Sequence, residues 1–258
     1  MQEGRYISYG GGGTQTATIT AGGLDPASSP SYQTVFSEEY NGTAWTEVNE
    51  ISEGRIDCTT FGTSTAALLV GGGTGPGSPA TVTSVESWNG SSWSSGTAIP
   101  TARQEMAGWG LSTAGAIVGG SQDSNPTMTA ETQEWNGSSW SDVATRAIHR
   151  YNRSGGAGTS NDAFIAGGQS PSPSPVQYSD CVELYDGSVW SSGPDMPTSR
   201  ELVGSADSLN TGTDAAMIFG GYSPPASPAT SIEYSDNITS ASFHNIEVTS
   251  LTGDGSQF

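Results

Sequence analysis

Arginine recurs at a nearly constant interval and is the residue type in this sequence best suited to binding an anion. The recurring positions are Arg5, Arg55, Arg103, Arg150 and Arg200. A guanidinium group donates hydrogen bonds in a planar fork, so a ring of arginines could bind a sugar acid or another carboxylate. The alternative is a structural pairing with a recurring acid. Four glutamates recur in this way: Glu86, Glu134, Glu183 and Glu233. Because the arginine is present in every unit, the pattern favours the structural role.

Aromatic residues recur in pairs that could stack on sugar rings. The first members are Tyr40, Trp88, Trp135, Tyr185 and Tyr234. The second members are Trp45, Trp93, Trp140, Trp190 and, with a weaker match, Phe243. Positions that repeat so regularly favour packing between layers of structure. Trp109 lies outside this pattern, which makes it a candidate for lining a central channel, with packing on an inner strand as the alternative.

Signals of enzymatic chemistry are weak. The chain has two histidines, His149 and His244, and no His/Cys cluster with the spacing of metal ligands. Cys58 and Cys181 occupy different positions in different repeats, so we expect free thiols and no disulfide framework. Acids are plentiful, but none are marked as a pair for glycoside hydrolysis. We therefore expect a protein without catalytic residues, cofactor or metal.

The charge and composition of the chain indicate which kinds of partner it can bind. The formal net charge is −19, and the 258 residues include no lysine. A chain this acidic repels phosphate backbones and anionic membranes, so we expect neither nucleic-acid binding nor membrane binding. No apolar segment reaches the length of a membrane span, and the N-terminal sequence lacks the apolar core of a secretory signal. With 33% hydrophobic residues, the chain suits many thin layers better than one thick core.

A pair of glycines marks each unit together with the arginine and the aromatics. The pairs are Gly22-Gly23, Gly71-Gly72, Gly119-Gly120, Gly167-Gly168 and Gly220-Gly221. A short apolar run precedes each pair, and Asn-Gly or Asp-Gly separates the two aromatics in four units, as at Asn89-Gly90. Short runs bounded by such turns predict four antiparallel strands per unit.

One four-stranded sheet cannot bury its own faces, so successive sheets must stack, and stacking around an axis produces a propeller. We therefore predict an all-β fold in a single domain over residues 1–258, a five-bladed β-propeller of four-stranded antiparallel blades. The predicted blades are residues 5–54, 55–102, 103–149, 150–199 and 200–252, with a short C-terminal tail over residues 245–258. Closure could come from direct packing of blade five on blade one, from strand exchange, or from an assembly.

These landmarks together resemble the kelch repeat, over nearly the whole chain. The resemblance rests on the arginine, the double glycine and the spaced aromatic pair, in the same order in every unit. It implies a β-propeller with one blade per repeat. The five repeat arginines and Trp109 are then the candidate binding residues. The structural residues of the repeat are Gly23, Gly72, Gly120, Gly168, Gly221, Trp45, Trp93, Trp140 and Trp190.

The sequences WNGSSW and GTSTAALLVGG are further similar to kelch-like structural proteins of marine tailed bacteriophages, cyanophages among them. This resemblance implies a non-enzymatic virion protein, assembled in the host cytoplasm. Its variable Pro/Ser-rich loops after the glycine pairs would contact a host-surface glycan or protein, or another virion protein, within a symmetric assembly. The alternatives are a glycan-active hydrolase or epimerase at the channel mouth and a cellular kelch-type adaptor.

Overall fold

The computed structural model describes residues 10–25, 33–75, 80–122, 127–145, 154–170, 177–207, 216–223, 231–235 and 242–246. All regular secondary structure in these ranges consists of β-strands. No membrane-crossing helix is found among them.

Five four-stranded antiparallel sheets follow one another along the chain. The first sheet contains β1 (Gly12–Thr14), β2 (Ala17–Ala21), β3 (Ser37–Tyr40) and β4 (Trp45–Val48). The second contains β5 (Thr59–Thr63), β6 (Ala66–Val70), β9 (Val85–Trp88) and β10 (Trp93–Ser95). The third contains β11 (Ala107–Leu111), β12 (Ala114–Val118), β15 (Glu131–Trp135) and β16 (Trp140–Thr145).

The fourth sheet contains β17 (Gly155–Thr159), β18 (Asp162–Ala166), β21 (Val182–Tyr185) and β22 (Trp190–Ser192). The fifth contains β23 (Gly204–Asp207), β24 (Ala216–Phe219), β25 (Ser231–Ser235) and β26 (Ser242–Ile246). In every sheet the strands lie in chain order, so each is a simple meander that begins at the innermost strand.

In three of the sheets, the connection between the second and third strands of the sheet forms a short two-stranded ribbon. They pair β7 (Gly73–Thr74) with β8 (Ala80–Thr81), β13 (Ser121–Gln122) with β14 (Thr127–Met128), and β19 (Gln169–Ser170) with β20 (Gln177–Tyr178). Each ribbon begins just after a glycine pair. We call them the loop arms, because they carry the variable loops that the sequence analysis singled out.

The hairpins form at the turns that the sequence predicts. Gly62 adopts a φ of 120° in the first hairpin of the second sheet, and Gly90 a φ of 89° in the last. The Asn89 carboxamide oxygen accepts hydrogen bonds from the backbone N–H groups of Ser91 and Ser92, both at 2.9 Å. This local pairing places Trp88 directly opposite Trp93, as expected for a tight Asn-Gly hairpin.

The core consists of apolar layers between neighbouring sheets. Alternate side chains of a strand face opposite ways, and we call the face that meets the next sheet in the chain the forward face. In β6, Leu68 and Val70 face forward and pack with Ile117 of the third sheet. The other face carries Leu69, which packs with Ala21 of the first sheet.

Glycines and other small residues let the innermost strands meet closely around the centre. An added Cβ on Gly108 of β11 would lie 2.9 Å from the side chain of Thr59 on β5. One on Gly156 of β17 would lie 3.1 Å from the Cβ of Ala107. Larger side chains would force the sheets apart, so the glycine content of these strands follows from their position nearest the axis.

The sheets form a propeller arrangement with four blades, which corrects the predicted number of five. Innermost strands pack in the order β1, β5, β11, β17 and β23, which creates four sheet-to-sheet interfaces. The first four sheets are therefore each covered by the next sheet. Among the described strands, β23 and β1 form no interface of comparable extent, so the predicted direct packing of blade five on blade one is absent there.

Candidate functional site

The innermost strands surround a central cavity of about 810 Å³. All five sheets contribute to its wall, since each has its first strand at the edge that faces the axis. An edge strand leaves alternate backbone N–H and C=O groups without partners in its own sheet. The cavity wall therefore offers main-chain hydrogen-bonding groups in addition to side chains.

Neutral side chains line this cavity. The polar members are Thr14, Gln15, Thr18, Thr59, Thr60, Ser154 and Ser205, and the large apolar members are Phe61, Met106, Trp109, Leu202, Val203 and Phe219. The rest of the lining is glycine and alanine. In the part of the chain that the structure describes, no Arg, Asp, Glu or His lines the cavity.

The repeat arginines do not lie at the cavity. Arg55, Arg103 and Arg200 are each at most 1% exposed, and none of them lines the central cavity. Their guanidinium groups instead donate to the first glycine of the pair in their own sheet. The bonds reach the carbonyls of Gly71 at 3.5 Å, Gly119 at 3.4 Å and Gly220 at 3.0 Å. Arg5 and Arg150 lie outside the described residues.

The backbone of each described repeat arginine is bonded to the preceding sheet. The Arg55 carbonyl accepts a hydrogen bond from Gly23 at 2.9 Å, that of Arg103 from Gly72 at 2.9 Å, and that of Arg200 from Gly168 at 2.8 Å. One arginine therefore ties two sheets together through its side chain and its main chain. This placement favours the structural role over anion binding.

Arg55 and Arg103 pair with carboxylates, and the partner of Arg103 is not one of the recurring glutamates. Arg55 donates to Glu86, as expected, in a pair whose side chains are 1% and 4% exposed. Arg103 pairs with Glu131 at 3.2 Å rather than with Glu134. Glu131 precedes Glu134 by three residues and begins β15, next to the glycine pair that Arg103 reaches. Burial lowers the pKa of the Arg103 guanidinium, and Glu131 opposes that shift.

Glu134 instead joins the third and fourth sheets. It accepts a hydrogen bond of 2.7 Å from the hydroxyl of Tyr185. Burial and this bond raise the pKa of Tyr185. The recurring glutamates are therefore not equivalent. Glu86 lies two residues before Trp88, whereas Glu134 lies one residue before Trp135, so their side chains point to opposite faces of their sheets.

The tryptophans of the fourth strands reach back to the preceding sheet or linker. Trp93 Nε1 donates to Ser37 Oγ at 2.9 Å, Trp140 Nε1 to the Thr97 carbonyl at 3.0 Å, and Trp190 Nε1 to Thr132 Oγ1 at 2.8 Å. Trp45, in the first sheet, is half-buried and tilted against Tyr40, with 5.3 Å between ring centroids. The indoles thus pack between sheets, where a stacked sugar could not reach Trp140 or Trp190.

Trp109 lies between the third and fourth sheets and also borders the cavity. Its indole N–H donates to the carbonyl of Thr159 at 3.0 Å, and its ring meets Trp190 edge to face at 5.9 Å. At 2% exposure it offers little surface to a ligand. Trp109 therefore mainly packs on the inner strands, which was the alternative to channel lining in the sequence analysis.

Among the described residues, the fifth and first sheets form no interface like those between the other neighbours, and we call the side between them the seam. The aliphatic residues that face the preceding sheet, Leu69, Ile117, Ile165 and Ile218, are fully buried, but the first sheet has half-buried Thr20 there. The forward residues before the glycine pairs, Ala21, Val70, Val118 and Ala166, are at most 1% exposed, whereas Phe219 is 42% exposed. The seam therefore has a threonine face and a phenylalanine face.

Sequence reasoning missed a backbone feature beside the arginines. Asp57, Glu105 and Leu202, each two residues after a repeat arginine, adopt positive φ of 55°, 60° and 56°. The N–H of Glu105, which precedes the third sheet, donates at 2.7 Å to the carbonyl of Asp57, which precedes the second sheet. The fixed offset from the arginine was the available signal. The residue types were not, because Leu is rarely found in this conformation.

The post-glycine loops lie mostly outside the described residues, but their bases are described. Backbone bridges attach these bases to the linker that follows the arginine, as between Ile56 and Gly73 and between Glu201 and Tyr222. Tyr178, at the end of a loop arm, meets Tyr222 edge to face at 5.7 Å, and Tyr222 is 37% exposed. An aromatic pair therefore lies at the base of the fourth and fifth loops.

Metal chemistry finds no support in the described part of the chain. No group of three His, Cys, Asp or Glu side chains there could hold an ion. Cys58 is a buried free thiol and Cys181 a half-buried one.

Comparison with known proteins identifies the fold. No family model matches the sequence, and no curated protein matches it. The solved structure of YjhT is similar, with a TM-score of 0.76 over 91% of this chain and 83% of that chain, at 13% sequence identity. A likeness at this identity supports a propeller-type fold and carries no function with it.

Proposed function

We propose that this protein is a non-enzymatic attachment or structural protein of a virion, akin to the kelch-like proteins of marine tailed bacteriophages. The loops after its glycine pairs contact a host-surface glycan or protein, or a neighbouring virion protein. The loop arms carry this proposal. Three two-stranded ribbons extend from equivalent positions of successive sheets. Variable loops are therefore held on a regular scaffold, and binding residues often lie on such loops.

The tyrosines at the base of the loops add to this support. Tyr178 and Tyr222 come from different sheets, and Tyr222 is 37% exposed. Tyrosine combines apolar area with a polar hydroxyl and is enriched at binding interfaces. The acidic, lysine-free composition suits a particle surface that stays soluble and does not bind nucleic acid.

We also propose that the blades are kelch-like and that the fifth sheet continues their ring. β23 packs on β17 in the same way that the earlier inner strands pack on their predecessors. Gly204 and Phe219 line the cavity that the other sheets share. In the last hairpin Tyr234 lies opposite Phe243, the register that Trp88 and Trp93 have in the second sheet.

Replacing residues 171–176, PSPSPV, by GSGSGS tests the loop proposal, because it leaves the strands of the arm in place. We expect binding to intact marine cyanobacteria and to virions lacking the protein to fall by roughly tenfold or more, as for loss of hot-spot contacts. Val189→Ser is the matched control, in an outer turn of the same sheet and 59% exposed.

Unchanged binding by the loop variant would refute a role for this loop face. Mass spectrometry of purified particles checks the virion assignment directly, since the chain must be present in stoichiometric amount. Release of reducing ends from cell-surface polysaccharide would favour the glycan-active alternative. Binding only to host cytoplasmic proteins would favour the adaptor.

A further inference from the structure

The central cavity continues into the seam. Thr18 of the first sheet and Phe219 of the fifth both line it, although the two sheets form no interface like those between the other neighbours. Elsewhere around the ring, adjoining sheets cover the equivalent positions. The seam therefore enlarges the cavity on one side and gives it two chemically different walls.

Phe219 provides the apolar wall. Its ring lies over Gly204 on the neighbouring strand, where an added Cβ would come within 2.3 Å of the ring. This glycine leaves room for the ring, which remains 42% exposed beside Leu202, itself 39% exposed. An exposed aromatic ring in a concave site offers a flat surface for an apolar ligand face.

Hydroxyl and amide groups provide the opposite wall. Thr14, Gln15 and Thr18 of the first sheet line the cavity there. Thr60 also lines it, is 2% exposed, and its Oγ1 has no hydrogen-bond partner within the protein. A buried hydroxyl without a partner loses free energy unless a ligand or water satisfies it.

The charge of the lining restricts the ligand further. The chain has 26 acidic residues, yet no charged side chain among the described residues lines the cavity. An anion would find no counter-charge in the described lining and would be repelled by the acidic chain. A cation would find no carboxylate in the described lining. A neutral ligand avoids both costs.

We propose that the seam side of the central cavity binds a neutral saccharide. A sugar ring presents C–H groups on its face, which stack on Phe219, and hydroxyls on its rim, which bond to Thr18, Gln15 and the free edges of the inner strands. The volume of about 810 Å³ lies within the range of roughly 300–1,000 Å³ common for small-molecule sites. This site is separate from the loops and does not depend on the proposed function.

Isothermal titration calorimetry of the full chain tests the proposal. The probes are trisaccharides of glucose, mannose, galactose and N-acetylglucosamine, with trigalacturonate as the acidic comparison. We expect at least one neutral trisaccharide to bind and trigalacturonate not to bind. Phe219→Ala and Gln15→Ala, on opposite walls, should each weaken binding, the former by roughly tenfold for the loss of a stacked ring.

Both substitutions affect exposed side chains, so thermal melts should match the native protein, and Val189→Ser should bind normally. The variant with the replaced 171–176 loop should also keep its saccharide affinity, which separates this site from the loop face. Failure of every neutral trisaccharide, or equal binding by Phe219→Ala, would overturn the proposal. A change of molecular mass with Phe219→Ala in light scattering would instead assign the seam to a second copy.

Discussion

At the scale of single residues, the described repeat arginines act as ties between sheets. Arg103 is typical. Its side chain donates to Gly119 and Glu131 of its own sheet, while its carbonyl accepts from Gly72 of the sheet before. Lysine, with a compact ammonium group, could not reach these acceptors in the same forked geometry. Side chains already committed to such bonds are not available to a ligand.

The burial of the glutamate partner should determine how much each arginine pair contributes to the free energy of unfolding. Glu86→Gln should lower the free energy of unfolding by about 3 kcal/mol, because it leaves the buried charge of Arg55 without a counter-charge. Glu131→Gln is the matched control. It should cost less than about 1 kcal/mol, since the Glu131 side chain is 51% exposed and that of Glu86 only 4%.

Urea denaturation followed by tryptophan fluorescence measures both variants. Equal losses for the two substitutions would contradict the role assigned to burial. Added salt should change the stability of the Glu131 variant relative to the native protein more than that of the Glu86 variant, because exposed pairs are screened more strongly.

At the scale of elements, each glycine pair forms a junction between two sheets. An added Cβ on Gly71 would lie 2.6 Å from the carbonyl of Arg103 in the next sheet. One on Gly72 would lie 2.6 Å from the carbonyl of Ile56 in its own sheet. Both residues have positive φ, of 59° and 99°. The pair is therefore needed for conformation and for space together.

Gly72→Ala and Gly75→Ala separate these two requirements. Gly75 has a φ of 97°, close to that of Gly72, but no atom lies within 4 Å of an added Cβ. Gly75→Ala should cost about 1–2 kcal/mol from backbone strain alone. Gly72→Ala adds a collision with a carbonyl and should cost roughly 3 kcal/mol or more. Thermal unfolding measures the difference, and similar melting temperatures would contradict the close approach.

At the scale of the whole molecule, self-repulsion among the acids opposes folding. With a net charge of −19 and seven positive residues, raising NaCl from 10 mM to 500 mM should raise the melting temperature, because salt screens like charges. Sucrose, which screens nothing, is the comparison for a general solvent effect. An unchanged melting temperature in salt would show that the charges are already balanced locally.

Much of the fold was predictable because it repeats. Turns like those at Gly62 and Asn89-Gly90 recur in the first four units, and the aromatic pairs recur in all five. The all-β sheets of four antiparallel strands in a propeller arrangement are confirmed. The pairing of Arg103 with Glu131 and the tie between Glu134 and Tyr185 were not predictable. The first depends on which carboxylate the Arg103 side chain reaches within its own sheet, and the second on which residues of different sheets meet.

The sequence by itself determined the local order of this protein: where strands turn, which side chains alternate inward, and that each sheet needs a neighbour. Only the tertiary structure decided where the series of sheets stops packing and what lines the space that remains. The repeat pattern predicts the same environment for every unit. The first and last sheets differ because, among the described residues, one face of each has no neighbouring sheet packed on it as elsewhere. Thr20 and Phe219 look like ordinary substitutions in the sequence and face an open seam in the structure.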